Sequence, residues 1–505
     1  MRLSLRHEIA PSTGTWSGAA TSMVASEHEP RVIEVGDWSE APSDVWVAPR
    51  APSNDAPTPN VDPLGETTVE EEHFGRQSSE RAIVLELARS CLSDLAALGR
   101  MRAPSPGLAW TDGDESERRL LARIDAIVAC GPEILEDLRG DLAERPVADP
   151  DLTWALVLVH GCIGSQRAIH RAFDIAESSD LEDDEVRAAL VDALSLAPHP
   201  RIDHALRDWL ASGDGARRAI AVATSSLRRS LSVEDALAAV QDDDVRVIRA
   251  ASGALGRLDV RIDPAAVAWL LSHEDEEVVR GAFESAILLG SAEGLSCAER
   301  LCREGRGAFA DAACIAAIAG DEQTLEALLE DAAAGGSPTS LVALGWYGSA
   351  RAIDYLVGRM QTEDREVRLA ARRAIGRIAG DLPGDAPDER AEVGRTLPPP
   401  PCGKRPTTAT WRRWWESARE RARRDVQYRF GRSWTVDLVK RELSSPESRV
   451  EDRRLAYLEL AARTGHRPVL DLHHFVARQR TQLASFARET LGPASRSSWP
   501  SQLAG

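Results

Sequence analysis

Two short groups of residues carry the side-chain types that bind metal ions. They are His199 with Asp203 and His204, and Asp471 with His473 and His474. Imidazole nitrogens and carboxylate oxygens are common ligands of zinc, but neither group has the H-E-x-x-H spacing or the paired cysteines that make a metal site specific. We therefore interpret them as ordinary surface or core residues and expect neither a metal nor another cofactor.

A run of aromatic and basic side chains near the C-terminus is the strongest candidate for binding a partner protein. It consists of Trp411, Arg412, Arg413, Trp414 and Trp415. Tryptophan and arginine dominate the hot spots of protein interfaces. On a helix, however, the three tryptophans would share one face and bury against the rest of the protein. The sequence favours this packing interpretation and leaves partner binding open.

The motifs of several common enzyme classes are missing from the sequence. There is no G-x-S-x-G, no G-x-x-x-x-G-K-[ST] and no G-x-G-x-x-G, so a nucleophile elbow, a phosphate loop and a dinucleotide fingerprint are not predicted. Among the 61 basic residues only Lys404 and Lys440 are lysines, and the seven cysteines include no C-x-x-C pair. No catalytic residue is predicted.

An internal repeat must position the candidate residues. Pairs of small residues recur about every 31 residues through the middle of the chain, a period typical of stacked helix pairs. The alanines that open these pairs are Ala193, Ala223, Ala254, Ala286, Ala317, Ala343 and Ala374. Only 5% of residues are aromatic, which suits close-packed helices. We predict an all-α fold, an α-solenoid of helical pairs with helical caps.

Acidic turns precede several repeat helices, and arginines follow at similar positions. The carboxylates at 182–185, 242–244 and 363–366 are expected to cap helix starts. The arginines Arg187, Arg280 and Arg368 could line a ligand surface, but a residue that recurs once per repeat is first an element of stacking. We predict that these three are structural and pair with the acidic turns of adjacent units.

Composition divides the chain into five regions. Residues 1–66 are predicted to be a disordered tail rich in proline, serine and alanine, and residues 67–149 an N-terminal helical cap. The repeat array is predicted at 150–380, a proline-rich linker or loop at 381–407, and a basic helical domain at 408–505.

The net charge of −19 is unevenly distributed, since residues 401–505 carry +10 and residues 1–400 carry −29. An acidic array repels phosphate backbones, so no nucleic acid partner is expected. The basic end either docks on the acidic array, which is the favoured interpretation, or binds an anionic partner. We expect a distinctive surface on the concave face of the array or where the basic end meets it. Without an apolar run of about 20 residues or a signal-peptide core, we expect no membrane insertion and a cytoplasmic location.

Residues 363–376 contain, in order, an acidic turn, a Val-Arg pair, small residues and Ala-Ile-Gly. This unit resembles the short HEAT repeats shared with phycobilin lyases. The flanking motifs, Glu-Glu-Glu-His at 70–73, the tryptophan run at 411–415 and Arg-Gln-Arg at 478–480, resemble an uncharacterised family of bacterial HEAT-repeat proteins. The resemblance implies a HEAT-type solenoid and an association with type VI secretion loci, but no known activity.

Two functions therefore remain open. The first is a non-enzymatic scaffold or adaptor that binds one or more proteins, with a link to a bacterial secretion system implied by the resemblance. The alternative is a HEAT-like lyase or protein-modifying enzyme that acts on a bound client through residues too dispersed to form a motif. We favour the scaffold, because the chain is periodic and lacks the motifs of the common enzyme classes.

Overall fold

The computed structural model describes residues 69–102, 107–258, 262–263, 265–304, 312–335, 337–380, 396–401 and 407–489. Their regular structure is α-helical apart from short 3-10 turns and one two-stranded antiparallel ribbon, so the prediction of an all-α fold is confirmed. Within these ranges no helix is long and apolar enough to cross a membrane. The predicted tail at 1–66 and most of the predicted linker at 381–407 lie outside the described residues.

The described residues form two compact units. The first contains residues up to Arg100 with residues 117–205, and the second contains residues 101–116 with those from Leu206 onward. Helices α1 to α7 are Val69–Arg102, Asp114–Ala129, Pro132–Ala143, Pro150–Cys162, Gln166–Ser178, Asp184–Leu196 and Ile202–Leu210. Helices α8 to α18 are Gly215–Leu227, Val233–Ala239, Val245–Ala254, Ala265–Ala268, Glu276–Leu289, Ala292–Glu304, Ala312–Ala319, Glu322–Ala334, Pro338–Tyr347, Ala352–Arg359 and Arg365–Ala379. The C-terminal segment contains α19 (Thr408–Ala418), β1 (Tyr428–Arg429), β2 (Arg432–Ser433), α20 (Val436–Ser444), α21 (Val450–Thr464) and α22 (Val476–Phe486).

In the first unit, the apolar helix α4 is held by close contacts. A Cβ atom on Gly99 would lie 2.5 Å from the Trp154 ring, so a glycine is needed for α1 to approach α4 this closely. Trp154 Nε1 donates a hydrogen bond to Asp192 Oδ2 of α6 at 2.8 Å. Every residue of α4 from Leu152 onward is buried, so this helix forms the core of the unit.

His160 lies inside this buried helix. Neither of its ring nitrogens has a hydrogen-bond partner within the described part of the chain. Burial lowers the pKa of His160 from 6.5 to about 4, although the negative charge of Glu136 opposes the shift. The ring is therefore neutral in the folded protein at neutral pH.

This buried histidine makes the stability of the first unit depend on pH. The pKa of an unfolded-chain histidine is about 6.5, so between about pH 6.5 and pH 4 the unfolded state binds more protons, and stability falls as the pH falls. The lowered pKa corresponds to a loss of about 3 kcal/mol in the free energy of unfolding as the pH falls from about 6.5 to about 4. We expect His160→Leu to remove most of this dependence, measured as the difference between thermal melting temperatures at pH 7.5 and pH 5. A difference as large as in the wild type would contradict this account.

The repeat helices begin as the sequence predicts. Asp183, Asp244, Asp275 and Asp364 accept hydrogen bonds from first-turn backbone amides of α6, α10, α12 and α18. Each carboxylate therefore satisfies amides that have no partner within the helix and lies at the positive end of its dipole. The predicted capping role of the acidic turns is confirmed.

The repeated alanines mark where successive helices of the array touch. All seven are buried. In the second unit α8 packs against α10 and α10 against α12, while α14 packs against α16 and α16 against α18. A Cβ atom on Gly345 would lie 2.7 Å from the Cα of Ala374, so small residues permit close approach of α16 and α18. The solenoid course of the whole array stays a prediction.

The C-terminal segment packs directly on the repeat helices of the second unit. Helix α21 contacts both α12 and α14, and α19 contacts α17. The ribbon covers two helix ends, because Tyr428 N donates to Gly348 O at 2.7 Å and Phe430 N donates to Arg377 O at 2.8 Å. Carbonyls at the C-terminal end of a helix have no partner in that helix. The C-terminal segment therefore supplies hydrogen bonds that the array needs.

A chain of buried ion pairs joins α18 to the C-terminal segment. Glu442 of α20 pairs with Arg377 of α18 at 2.7 Å and with Arg429 of β1 at 3.1 Å. Arg429 also pairs with Glu459 of α21, which pairs with Arg463 at 3.1 Å. These five side chains, which we call the buried charge network, are at most 7% exposed. At the link with α18 the array supplies the arginine and the basic segment supplies the carboxylate, which is the reverse of the pairing that the net charges suggest.

Aromatic rings exclude water from this network. The guanidinium carbon of Arg377 lies 3.1 Å from the centroid of the Trp346 ring, and Trp434 Nε1 donates to Glu459 Oε1 at 2.9 Å. Burial raises the pKa of Glu442, and the charges of Arg377 and Arg429 only partly oppose this. Each charge therefore depends on its partners for stabilisation.

Removing one carboxylate should destabilise the second unit strongly. We expect Glu442→Gln to lower the free energy of unfolding by about 3 kcal/mol, because it removes the carboxylate that Arg377 and Arg429 share inside the protein. The control is Asp425→Asn, which breaks the exposed pair between Arg423 and Asp425 and should leave stability unchanged. Denaturant unfolding measures both. Equal stability of the two variants would show that the network contributes little.

Candidate functional site

The predicted structural arginines bind carbonyl and carboxylate oxygens of the repeat turns. Arg187 donates to Leu181 O at 2.5 Å, and Arg368 donates to Thr362 O at 2.7 Å. Each thus reaches back from the first turn of its helix to a carbonyl that precedes the same helix. Arg280 pairs with Glu277 of its own helix at 3.1 Å. For Arg187 and Arg368 the partners lie in the same repeat, and not in the adjacent repeat as the sequence predicts. Each side chain reaches the turn that precedes its own helix first.

Other arginines make contacts between neighbouring repeats. Arg218 donates to both oxygens of Asp242 at 2.8 Å and to Ser212 O at 2.9 Å. Arg249 similarly pairs with Asp275 at 2.7 Å. Two-pronged arginine–carboxylate pairs fix orientation as well as distance, so Arg218 holds two successive turns in register.

The tryptophans of α19 pack inward. Trp411 and Trp415 are buried and Trp414 is half-buried. Trp415 Nε1 donates to Asp354 Oδ1 of α17 at 2.6 Å, and the Trp411 and Trp414 rings meet edge to face with centroids 5.9 Å apart. These three side chains therefore anchor α19 on the repeat helices.

The arginines of the same helix face solvent. Arg412 and Arg413 are exposed. Four more exposed arginines follow directly after the end of α19, and we call the six together the arginine face: Arg412, Arg413, Arg419, Arg421, Arg423 and Arg424. A partner could reach this face without disturbing the tryptophans.

The first candidate metal group is divided between core and surface. His199 is buried, and its Nδ1 accepts a hydrogen bond from Arg201 N at 3.1 Å. Asp203 is half-buried and His204 is exposed, both on α7. Among the residues described, no cluster of three or more histidine, cysteine or acidic side chains has the arrangement of a metal site.

The second candidate group serves the packing of the C-terminal segment. His474 is buried and accepts a hydrogen bond on Nδ1 from Phe475 N at 2.8 Å. Burial lowers the pKa of His474 well below its usual range. Asp471 and His473, by contrast, line a cavity of the second unit.

This cavity, which we call the arginine pocket, has a volume of about 70 Å³. It lies where the C-terminal ends of α8 and α10 meet α12, α21 and the segment after α21. Its charged lining consists of Arg229, Arg257, Glu284, Arg454, Arg467 and Asp471, joined by Tyr457 and His473. The sequence predicted a distinctive surface either on the concave face of the array or where the basic end meets it, and the pocket lies where the C-terminal segment meets the repeat helices.

Three of the four arginines in the pocket have partners. Arg454 of α21 pairs with Glu284 of α12. Arg229 Nε donates to Asp471 Oδ1 at 2.9 Å, and Arg467 donates to Gly256 O at 3.1 Å. Each bond joins the array to the C-terminal segment.

Arg257 differs from these three. It ends the 3-10 turn after α10 and is only half-buried, and its side chain makes no hydrogen bond or ion pair with any residue that the structure describes. Burial lowers the pKa of Arg257 to about 10, and burial likewise lowers the pKa of Arg454 to about 10. Both guanidinium groups remain charged at neutral pH, so the lining has four positive charges against two carboxylates.

Local geometry places these groups around the cavity. Arg229 has a φ of 60°, a left-handed conformation uncommon for a residue other than glycine, which turns the chain sharply after α8. Arg454 and Tyr457 lie three residues apart on α21 and so share a face. Tyr457 donates from its hydroxyl group to Pro468 O at 3.3 Å, which holds the segment that carries Arg467.

Sequence reasoning missed Arg257, Arg454 and Arg467. They come from three segments that no motif connects, and only tertiary packing brings them together. Comparison with protein-family models and with curated proteins finds no match to this chain. The resemblance to HEAT repeats therefore stays a prediction.

Proposed function

We propose that this chain is a non-enzymatic scaffold or adaptor, built on a HEAT-type solenoid, that binds an acidic protein partner through the arginine face. The observation that carries the proposal is the division of α19 into buried tryptophans and exposed arginines. Arginine is enriched in binding hot spots. Arg412 and Arg413 are exposed on a helix that its buried tryptophans hold in place, so a partner protein can contact them directly.

Charge supports an acidic partner. Three exposed carboxylates, Glu416, Glu420 and Asp425, lie among the six arginines of the face, which leaves it positive on a chain whose net charge is −19. Complementary charge speeds encounter and excludes partners of like charge. We expect this association to weaken as salt is added.

The anchoring of α19 also favours binding. The bond from Trp415 to Asp354 and the packing of Trp411 fix the helix before a partner arrives. A preorganised surface loses less conformational entropy on association. The resemblance to a family associated with type VI secretion makes a bacterial secretion component the first partner to test.

Affinity capture with charge-reversed chains tests the proposal. The test variant is Arg412→Glu with Arg413→Glu, and the matched control is Arg119→Glu with Arg167→Glu, which reverses two exposed arginines of α2 and α5. We expect wild type and control to recover the same acidic protein from the native host, and the test variant to bind the purified partner about tenfold more weakly or worse. Mass spectrometry should find the partner chemically unchanged.

Two results would contradict the proposal. Equal binding by the test variant and the control would show that the arginine face is not part of the interface. A partner that becomes covalently altered only in the presence of this chain would favour the lyase or protein-modifying enzyme instead.

A further inference from the structure

We infer that the arginine pocket binds a compact, doubly charged oxyanion, namely inorganic phosphate or the phosphate group of a small phosphate ester. The inference goes beyond the scaffold function, because it assigns a small-ligand site that the proposed protein interface does not use. Three observations carry it: the charge of the lining, the free guanidinium of Arg257, and the position of donors on both walls.

The lining has an excess of two positive charges. Arg229, Arg257, Arg454 and Arg467 face the same cavity as Glu284 and Asp471. Glu284 is already paired with Arg454, and Asp471 is already paired with Arg229 and with Arg478 outside the lining. Like charges held together in a partly desolvated site repel one another. A dianion matches the excess.

Arg257 supplies the donors that are not yet used. A guanidinium group has five N–H donors and no acceptor, and that of Arg257 bonds to no described residue. Arg467 donates one bond to Gly256 O and keeps further donors. Arginine forks match the geometry of phosphate oxygens, so an oxyanion can receive bonds from both side chains.

The donors surround the cavity from two sides. Arg229 and Arg257 belong to the array, whereas Arg454 and Arg467 belong to the C-terminal segment. This spread suits a tetrahedral acceptor with several oxygens better than a planar carboxylate. The volume of about 70 Å³ is several times the ~10–15 Å³ that one water requires, which suits a compact group.

A bound phosphate would tie the C-terminal segment to the array. A ligand that binds the folded state alone stabilises that state by mass action. Phosphate should therefore raise the melting temperature of the chain in a saturable manner. It should also slow hydrogen exchange of backbone amides in residues 467–473, which carry part of the pocket wall.

The test is titration of the full chain with sodium phosphate, with sodium chloride at the same ionic strength as the reference. Binding is followed by calorimetry and by the melting temperature. We expect saturable binding of phosphate by the wild type, at least about tenfold weaker binding by Arg257→Gln, and wild-type binding by Arg119→Gln, an exposed arginine on α2. Glycerol 3-phosphate is titrated in parallel, and whichever probe binds more tightly identifies free phosphate or an ester as the ligand.

Two further variants keep the inference testable if Arg257→Gln fails to fold. Arg257→Lys keeps the charge but loses the fork and should bind with intermediate affinity. Glu284→Gln removes a competing carboxylate and should bind phosphate more tightly than the wild type. The inference is overturned if phosphate has no effect beyond that of chloride, or if Arg257→Gln or Arg257→Lys binds it as well as the wild type. Either outcome leaves the capture experiment on the arginine face unaffected.

Discussion

Buried charge pairing between α18 and the C-terminal segment is the interaction on which the second unit depends. Arg377, Arg429 and Arg463 cannot be buried without Glu442 and Glu459, because an unpaired charge in a low-dielectric interior is far more costly than a paired one. The network fixes α20 and α21 against α18, and α21 in turn contacts α12 and α14. The same helix carries Arg454 to the pocket wall. The network therefore helps to position the helix that forms one wall of the pocket.

The chemistry of arginine explains how one residue type fills so many roles in a chain that has almost no lysine. A planar guanidinium group donates several hydrogen bonds and stacks on aromatic rings. Arg368 binds a turn carbonyl, Arg218 joins two repeats, and Arg377 stacks on Trp346 inside the network. In each case the bonds are multiple and directional. A lysine ammonium group, as a compact and strongly hydrated charge, would not replace them.

Local features of the sequence predicted local structure. Acidic turns and small pairs indicated the repeat helices, their caps and the buried alanines, because these depend on neighbours within a few residues or one repeat. The tryptophan spacing likewise favoured the packing of Trp411 and Trp415. The route of α21 was not predictable, because its contacts with α12 and α14 join residues far apart in the chain. Regional net charge also did not predict the buried ion pairs. Glu442 and Glu459 belong to the basic end, yet because they are buried they contribute more to stability than the exposed arginines around them.

The central claim is that the C-terminal segment is an integral part of the repeat core of the second unit. Native-state hydrogen exchange tests it most directly, since it reports the free energy of opening for each helix. The account predicts that amides of α20 and α21 open with the same free energy as those of α16 and α18, and respond equally to denaturant. Opening of α20 and α21 at much lower free energy, while α16 and α18 stay protected, would contradict it.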